Sequence, residues 1–352
     1  MTVIRRFAFA SLSAAAVLAL GAAAPAPAAA PAPPSAAAVA GHPSEISLPD
    51  TKRIPFVSKV NGHGYSIDVY LPDAPPPPKG YPVIYVFDGD GYFPSVMAAA
   101  QADFTNAFIV VGIGYPRDPA WAEAELKKHP KVGGILGAAP PFERAVSIER
   151  EYDMSLPGDE ETIKSMALAG AEMSASDFGG LDDYLKVIET DIKPRIYALA
   201  PVDKTNQTLF GHSLGGLAVV EALFTEPGAF RTFVAASPSI WWANRAVLKR
   251  EAAFDQAIAS GHATPRVLIT VGGEEETMPK LPPEMAALAP KVKEQLEHAR
   301  MVGNACDLAK RLQTLHSAKG YVVENCAVFD ALSHQLSPWP AIARTVAFAG
   351  SE

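Results

Sequence analysis

Cysteine is nearly absent, with two in 352 residues. That is too few for the multi-bridge framework of a small secreted domain or for a zinc site of four thiolates. Charge is thin as well. Asp, Glu, Lys and Arg make up 19% of the chain, against about 25% in an average domain. The balance is acidic, with 38 acids, 30 bases and a formal charge of −8. With a pI near 5.6 and no Lys/Arg cluster, the chain lacks the basic footprint that holds nucleic acid. It also lacks an apolar run of the ~20 residues needed to span a bilayer as a helix. H-E-x-x-H, Cys/His clusters, and Walker or dinucleotide glycine patterns are missing, so no cofactor and no metal site is implied. What is present is 49% hydrophobic residues and a mean hydropathy of +0.09, enough to bury a large core.

The first forty residues read as an address. Arg5 and Arg6 precede an apolar run from Phe7 to Leu20, and small residues follow at Gly21 to Ala24. This is the order of a secretory signal. Residues 25–40 are an Ala/Pro linker with too little apolar bulk to fold. The pattern predicts a periplasmic or secreted product with no stable membrane anchor after signal removal. Several A-x-A positions before Gly41 leave the cleavage site open, and the oligomeric state is not encoded in any pattern here.

From about Ile46 the chain alternates strands and helices. Residues 65–71 alternate apolar and polar as a half-buried strand does. Continuous apolar runs at 83–87 and 108–113 fit strands covered on both faces. Shorter strands are expected at 208–210, 233–236 and 267–271, and a last one over 321–329. Leu181, Tyr184, Leu185, Ile188 and Ile192 share one helical face that ends near Pro194. Further helices are expected over 214–223 and, as one long element, over roughly 291–315. Between Pro116 and Ser176 the periodicity is poor, and the stretch reads as an insertion with short helices. The class is therefore α/β with a mostly parallel sheet, in a single domain over residues 41–352.

Gly211-His212-Ser213-Leu214-Gly215-Gly216 falls between an expected strand and an expected helix. A serine hydroxyl attacks a carbonyl only when a base takes its proton and its position is fixed. A sharp strand-to-helix turn gives that position, provided the flanking residues lack side chains. The helix behind Ser213 adds its dipole, and the Leu214 N–H points where an oxyanion would form. His212 occupies the intervening position, so its ring diverges and serves packing or hydrogen bonding. The base should follow later in the chain, among His298, His316 and His334. The first two belong to the long helix, whereas His334 lies in a loop just after the last strand, at the sheet edge where such sites assemble. His334 is the expected base and Ser213 the expected nucleophile. Gly272-Gly273-Glu274-Glu275-Glu276 offers the third member, a carboxylate that orients the imidazole. Glu275 is favoured, with Glu274 as the alternate.

Phe87-Asp88-Gly89-Asp90 follows an apolar strand. A D-x-D there suits either a phosphatase nucleophile or a loop supplying a second oxyanion N–H. Tyr92, at the position where a phosphatase of that type carries Thr or Val, favours the oxyanion loop at Gly89 and Asp90.

Taken together, Phe87-Asp88-Gly89-Asp90, residues 111–116 (Val-Gly-Ile-Gly-Tyr-Pro), Arg150-Glu151-Tyr152-Asp153, residues 211–216, residues 237–242 (Ser-Pro-Ser-Ile-Trp-Trp) and His334 carry a resemblance. Over about Ile54 to Phe348 the chain resembles the α/β-hydrolase superfamily, in its esterase D-like branch with the ferri-siderophore esterases. The resemblance implies an α/β-hydrolase fold and a serine esterase acting on a small-molecule ester. It also implies an oxyanion hole near Gly89, Asp90 and Leu214, and places Arg150 and Trp241 near the substrate. Two departures, Asp330-Ala331-Leu332-Ser333 ahead of His334 and a long 116–176 insertion, touch the pocket.

Three features have two readings each. Trp241 and Trp242 are either core or a substrate platform, and Arg150 is either a salt bridge or a substrate contact. Cys306 and Cys326 either pair in an oxidising compartment or stay as buried thiols. At the level of function, two rivals stand beside the esterase. One is a ligand-binding protein on a hydrolase scaffold. The other is a carbohydrate esterase or acyltransferase with the same triad.

Overall fold

A computed structural model describes residues 47–129, 139–167, 173–281, 283–315 and 320–351. The expected signal and linker over 1–40 lie outside the described residues. From Leu48 onward the chain forms one unit around a nine-stranded sheet in the order β1-β2-β4-β3-β5-β6-β7-β8, with β9 also on β7. The strands are β1 (Thr51–Val57), β2 (Gly64–Tyr70), β3 (Tyr81–Val86), β4 (Ile109–Gly114), β5 (Val202–His212), β6 (Thr232–Ala236), β7 (Arg266–Gly272), β8 (Val322–Val323) and β9 (Ala327–Phe329). The β1–β2 and β2–β4 pairs are antiparallel, and all others are parallel. The helices named below are α1 (Gly89–Ala102), α2 (Pro119–Lys128), α3 (Pro141–Asp153), α4 (Glu160–Ala167), α5 (Leu181–Val187), α6 (Lys193–Leu199), α7 (Leu214–Thr225), α8 (Glu251–Ala259), α9 (Ala289–Ala299), α10 (Met301–Gln313) and α11 (Pro338–Gly350).

Every residue of β3, β4, β6 and β7 is buried, which is why these segments read as unbroken apolar runs. Side chains still alternate between faces with period two. Val83 and Tyr85 join a core with α5, α7 and α10, while Ile84 and Val86 join a second core with α1 and α11. The parallel strands β3, β5, β6, β7 and β9 bring their carboxyl ends to one edge, so the loops after them converge there.

The structure corrects four expected boundaries. β5 begins at Val202, because its first residues are partly or fully exposed and carry no apolar signal. The helix near Pro194 continues through a π-helical turn, Ile188–Ile192, into α6, with Pro194 just after that turn. The long helix over 291–315 is two helices, α9 and α10, broken where Arg300 takes φ 40°. The last strand is split into β8 and β9. β1 was not anticipated. It is an edge strand with Pro55, where a missing donor is tolerated. The 116–176 stretch holds α2, α3 and α4. Among the described residues, no helix is long and apolar enough to cross a membrane.

Candidate active site

The turn after β5 places Ser213 at φ 61°, ψ −118°, a strained conformation for a residue with a side chain. Its N–H donates to Ala236 O at 3.0 Å, which ties the turn to β6. The glycines around it are required by close backbone approach. A Cβ on Gly211 would strike Gly215 O, and one on Gly216 would lie 2.7 Å from Ala236 O. Local sterics thus hold the serine hydroxyl out from the sheet edge at the start of α7.

His334 Nε2 lies 3.0 Å from Ser213 Oγ, and His334 Nδ1 lies 2.6 Å from Glu275 Oε2. Glu275 Oε1 accepts from the Ser237 hydroxyl at 2.5 Å and from the Gly272 N–H at 2.7 Å. Burial raises the Glu275 carboxyl. His334, Ser237 and Gly272 together outweigh that effect and leave it below the usual range, as expected for a carboxylate given donors on both oxygens. Glu274 and Glu276 are exposed, and Glu276 instead accepts from the Gly303 N–H at 2.8 Å. Two backbone bonds fasten the glutamate loop to the histidine loop: Gly273 N–H to Phe329 O at 2.8 Å, and Glu274 N–H to Leu332 O at 3.0 Å.

His212 packs against His334 with ring centroids 4.5 Å apart and the rings tilted by 38°, and its Nδ1 meets the Tyr92 hydroxyl at 3.1 Å. Burial, then the neighbouring His334 and Arg150, push it down to about 3. It stays neutral beside the His334 ring. Ser239 Oγ sits 3.4 Å from Ser213 Oγ, and its N–H donates to Ser213 O. Sequence reasoning gave no role to Ser237, Ser239 or Ser337. The Ser-Pro-Ser stretch after β6 was the available signal, but hydroxyl contacts between loops have no periodicity to read.

The other anticipated residues separate. Arg150 pairs with Asp88 through two bonds of 2.6 and 2.9 Å and reaches His212 O at 3.5 Å. Its guanidinium therefore couples the loop after β3 to the serine turn, and it does not line the cavity over Ser213. Gly89 packs on Gly112, where a Cβ would meet backbone. The Asp90 carboxylate accepts from the Tyr115 N–H at 3.0 Å and from Arg117 at 3.2 Å. The Trp242 ring is core, 1% exposed, and its N–H donates to Leu156 O at 2.7 Å. Trp241 instead lines a cavity of about 560 Å³ that opens on Ser213 and His334. Cys306 and Cys326 are joined as a disulfide between α10 and the stretch before β9.

A second depression, about 600 Å³ among Gln313, Glu324 and Arg344, lies by β8 and β9 at the sheet edge, and of the anticipated residues only Cys326 lines it. Among the described residues, one group has the donor set for a cation: His63, Glu149 and Asp153. His63 Nδ1 is 3.0 Å from Glu149, and Tyr65 and Tyr115 each donate to Asp153 at 3.1 Å. Burial, followed by Glu149, raises Asp153 to about 8. The group lies away from the lining of the Ser213 cavity.

The family model described as "Putative esterase" matches residues 152–317. The ferri-bacillibactin esterase BesA of Bacillus subtilis is 30% identical over 293 residues, which is 81% of this chain and 85% of that protein. The siderophore triacetylfusarinine C esterase of Aspergillus fumigatus is 27% identical over 320 residues, 85% of this chain and 97% of that protein. Among solved structures, the BES protein from Bacillus cereus superposes with a TM-score of 0.65 at 26% identity, covering 89% of this chain and 99% of its own.

Proposed function

Because the chain belongs to the α/β-hydrolase esterase family that includes these siderophore esterases, we propose that it is an exported serine esterase that opens a siderophore ester through an acyl-enzyme. The observation that carries this reading is the line Ser213 Oγ, His334, Glu275, with spacings of 3.0 and 2.6 Å. Those are the distances at which a base can take a hydroxyl proton and a carboxylate can fix the imidazole tautomer.

In this reading Ser213 Oγ attacks the ester carbonyl as His334 Nε2 receives its proton. Glu275 stabilises the imidazolium that results, and the imidazolium returns the proton to the leaving alkoxide. The Leu214 N–H and the positive end of α7 face the developing oxyanion, and the start of α1 at Gly89 and Asp90 supplies the second N–H. The Arg150–Asp88 pair positions that second segment. Water, deprotonated by His334, then frees the acyl group and restores Ser213. No step requires a cofactor. Export rests on the 1–40 segment, and residues 41–352 act as one catalytic domain.

The test is a fluorophosphonate reaction followed by intact mass. One adduct on the wild type is expected, absent in Ser213→Ala and slowed in His334→Ala. A folded wild type that takes no adduct would overturn the reading and favour a ligand-binding scaffold.

A further inference from the structure

Residues of α4 and α9 line the cavity over Ser213. Each of these helices presents one acid and one base to it at i,i+3 spacing: Glu161 with Lys164, and Lys291 with Glu294. Such pairs neutralise each other on one helix face. Lys164 is further engaged by Glu160 at 2.7 Å, and His298 from α9 approaches Glu161 at 3.8 Å. Among the described lining residues there is no arginine. Arg150 is held by Asp88, and Arg245, near the same helices, bonds Asn304 and the His298 carbonyl. The rest of the wall includes Trp241, Leu296 and Met301, and the whole chain carries −8.

We infer that this cavity selects esters of little or no net charge. Among iron chelates that means the trihydroxamate type, in which three monoanionic ligands cancel the ferric charge. The tris-catecholate type, in which three dianionic ligands leave the complex triply negative, is disfavoured. The inference rests on the esterase reading above and narrows its substrate. A polyanion entering the cavity loses solvation, and only an excess of cations in the wall could compensate. Two lysines set against the three glutamates Glu161, Glu275 and Glu294 give no such excess, and the net negative field slows approach. An uncharged ester meets neither penalty and gains from the apolar wall.

The test compares kcat/KM of the purified protein on two substrate pairs. One pair is ferric triacetylfusarinine C, a trihydroxamate ester, and ferric enterobactin, a tris-catecholate ester. The other is p-nitrophenyl butyrate and its anionic counterpart, p-nitrophenyl hemisuccinate. The neutral member is expected to be favoured at least tenfold in each pair, and added salt should narrow the gap by screening. Glu161→Lys combined with Glu294→Lys should raise the anionic-to-neutral ratio several-fold. Equal or better turnover of the catecholate, or a ratio unmoved by the double substitution, would overturn the inference while leaving the esterase reading intact. Failure to turn over any ester, together with no fluorophosphonate adduct, would overturn the esterase reading and this inference with it.

Discussion

Ser237 Oγ lies 2.5 Å from Glu275 Oε1, on the oxygen opposite the one that meets His334. Ser237 takes φ 42° immediately after β6, and its hydroxyl also contacts Ser337 Oγ at 2.9 Å. Ser337 in turn donates to the His334 carbonyl at 3.2 Å. The carboxylate and the histidine loop are thus oriented by a shared pair of hydroxyls.

That arrangement separates Glu275 from Glu274 by experiment. Glu275→Gln should lower kcat by about 10²–10⁴-fold, since a neutral amide no longer fixes the imidazole tautomer or balances its charge. Ser237→Ala removes one of two donors to Oε1 and should cost roughly tenfold or less. Glu274→Gln, an exposed change, should stay within about twofold. Steady-state kinetics on p-nitrophenyl butyrate distinguishes them, and an equal loss in the Glu274 variant would contradict the assignment.

The half-buried Arg150–Asp88 pair should behave as a unit. Arg150→Met strands the Asp88 carboxylate, at a cost below the about 3–5 kcal/mol of losing one partner of a fully buried pair. Adding Asp88→Asn should recover part of that loss. Urea unfolding of the two single variants and the double gives the coupling. Additive losses would mean the two groups act independently.

His212 gives a pH dependence whose sign follows from its depressed value. Between its ordinary value near 6.5 and its folded value of about 3, the unfolded chain holds a proton that the folded chain does not. Stability from this group is therefore present above about 6.5 and lost as pH falls toward 3. Asp153, raised to about 8, works in the opposite sense, so the informative quantity is the difference between wild type and His212→Asn. From pH 6 to 4 the wild type should lose up to about 1.4 kcal/mol per pH unit more than the variant. Identical slopes would refute the neutral, buried assignment.

Cys306 and Cys326, 20 positions apart, close a loop for which chain entropy gives about 3 kcal/mol. Reduction, or Cys306→Ala with Cys326→Ala, should destabilise the protein by about 2–4 kcal/mol in urea. Thiol titration before and after reduction checks that the bond was present. Ester hydrolysis well below the unfolding midpoint should persist, because the bond lies outside the cavity lining.

Much of the architecture was legible because the relevant forces are local. Val83–Val86 and Ile109–Ile113 are buried on both faces, and that burial is written directly as apolar runs. Residues 211–216 encode the serine turn, since only glycine clears the backbone on either side of it. Chain order and the loop position of His334 then pointed to its place beside Ser213. Where apolar contrast was weak the reading failed, as at β1, the solvent-facing half of β5 and the break at Arg300.

Sequence by itself determined the strand cores, the serine turn and the order of the three groups along the chain, because each depends on sterics and burial within a few residues. Tertiary structure alone decided which of three adjacent glutamates turns inward, because that depends on the histidine loop bonding Gly273 and Glu274 from 55 to 60 positions away in the chain. It likewise placed Trp241 on the cavity wall and Trp242 in the core, and gave Arg150 to Asp88. A side chain's direction and its charge partner are set by whichever distant element packs against it, and no spacing along the chain records that element.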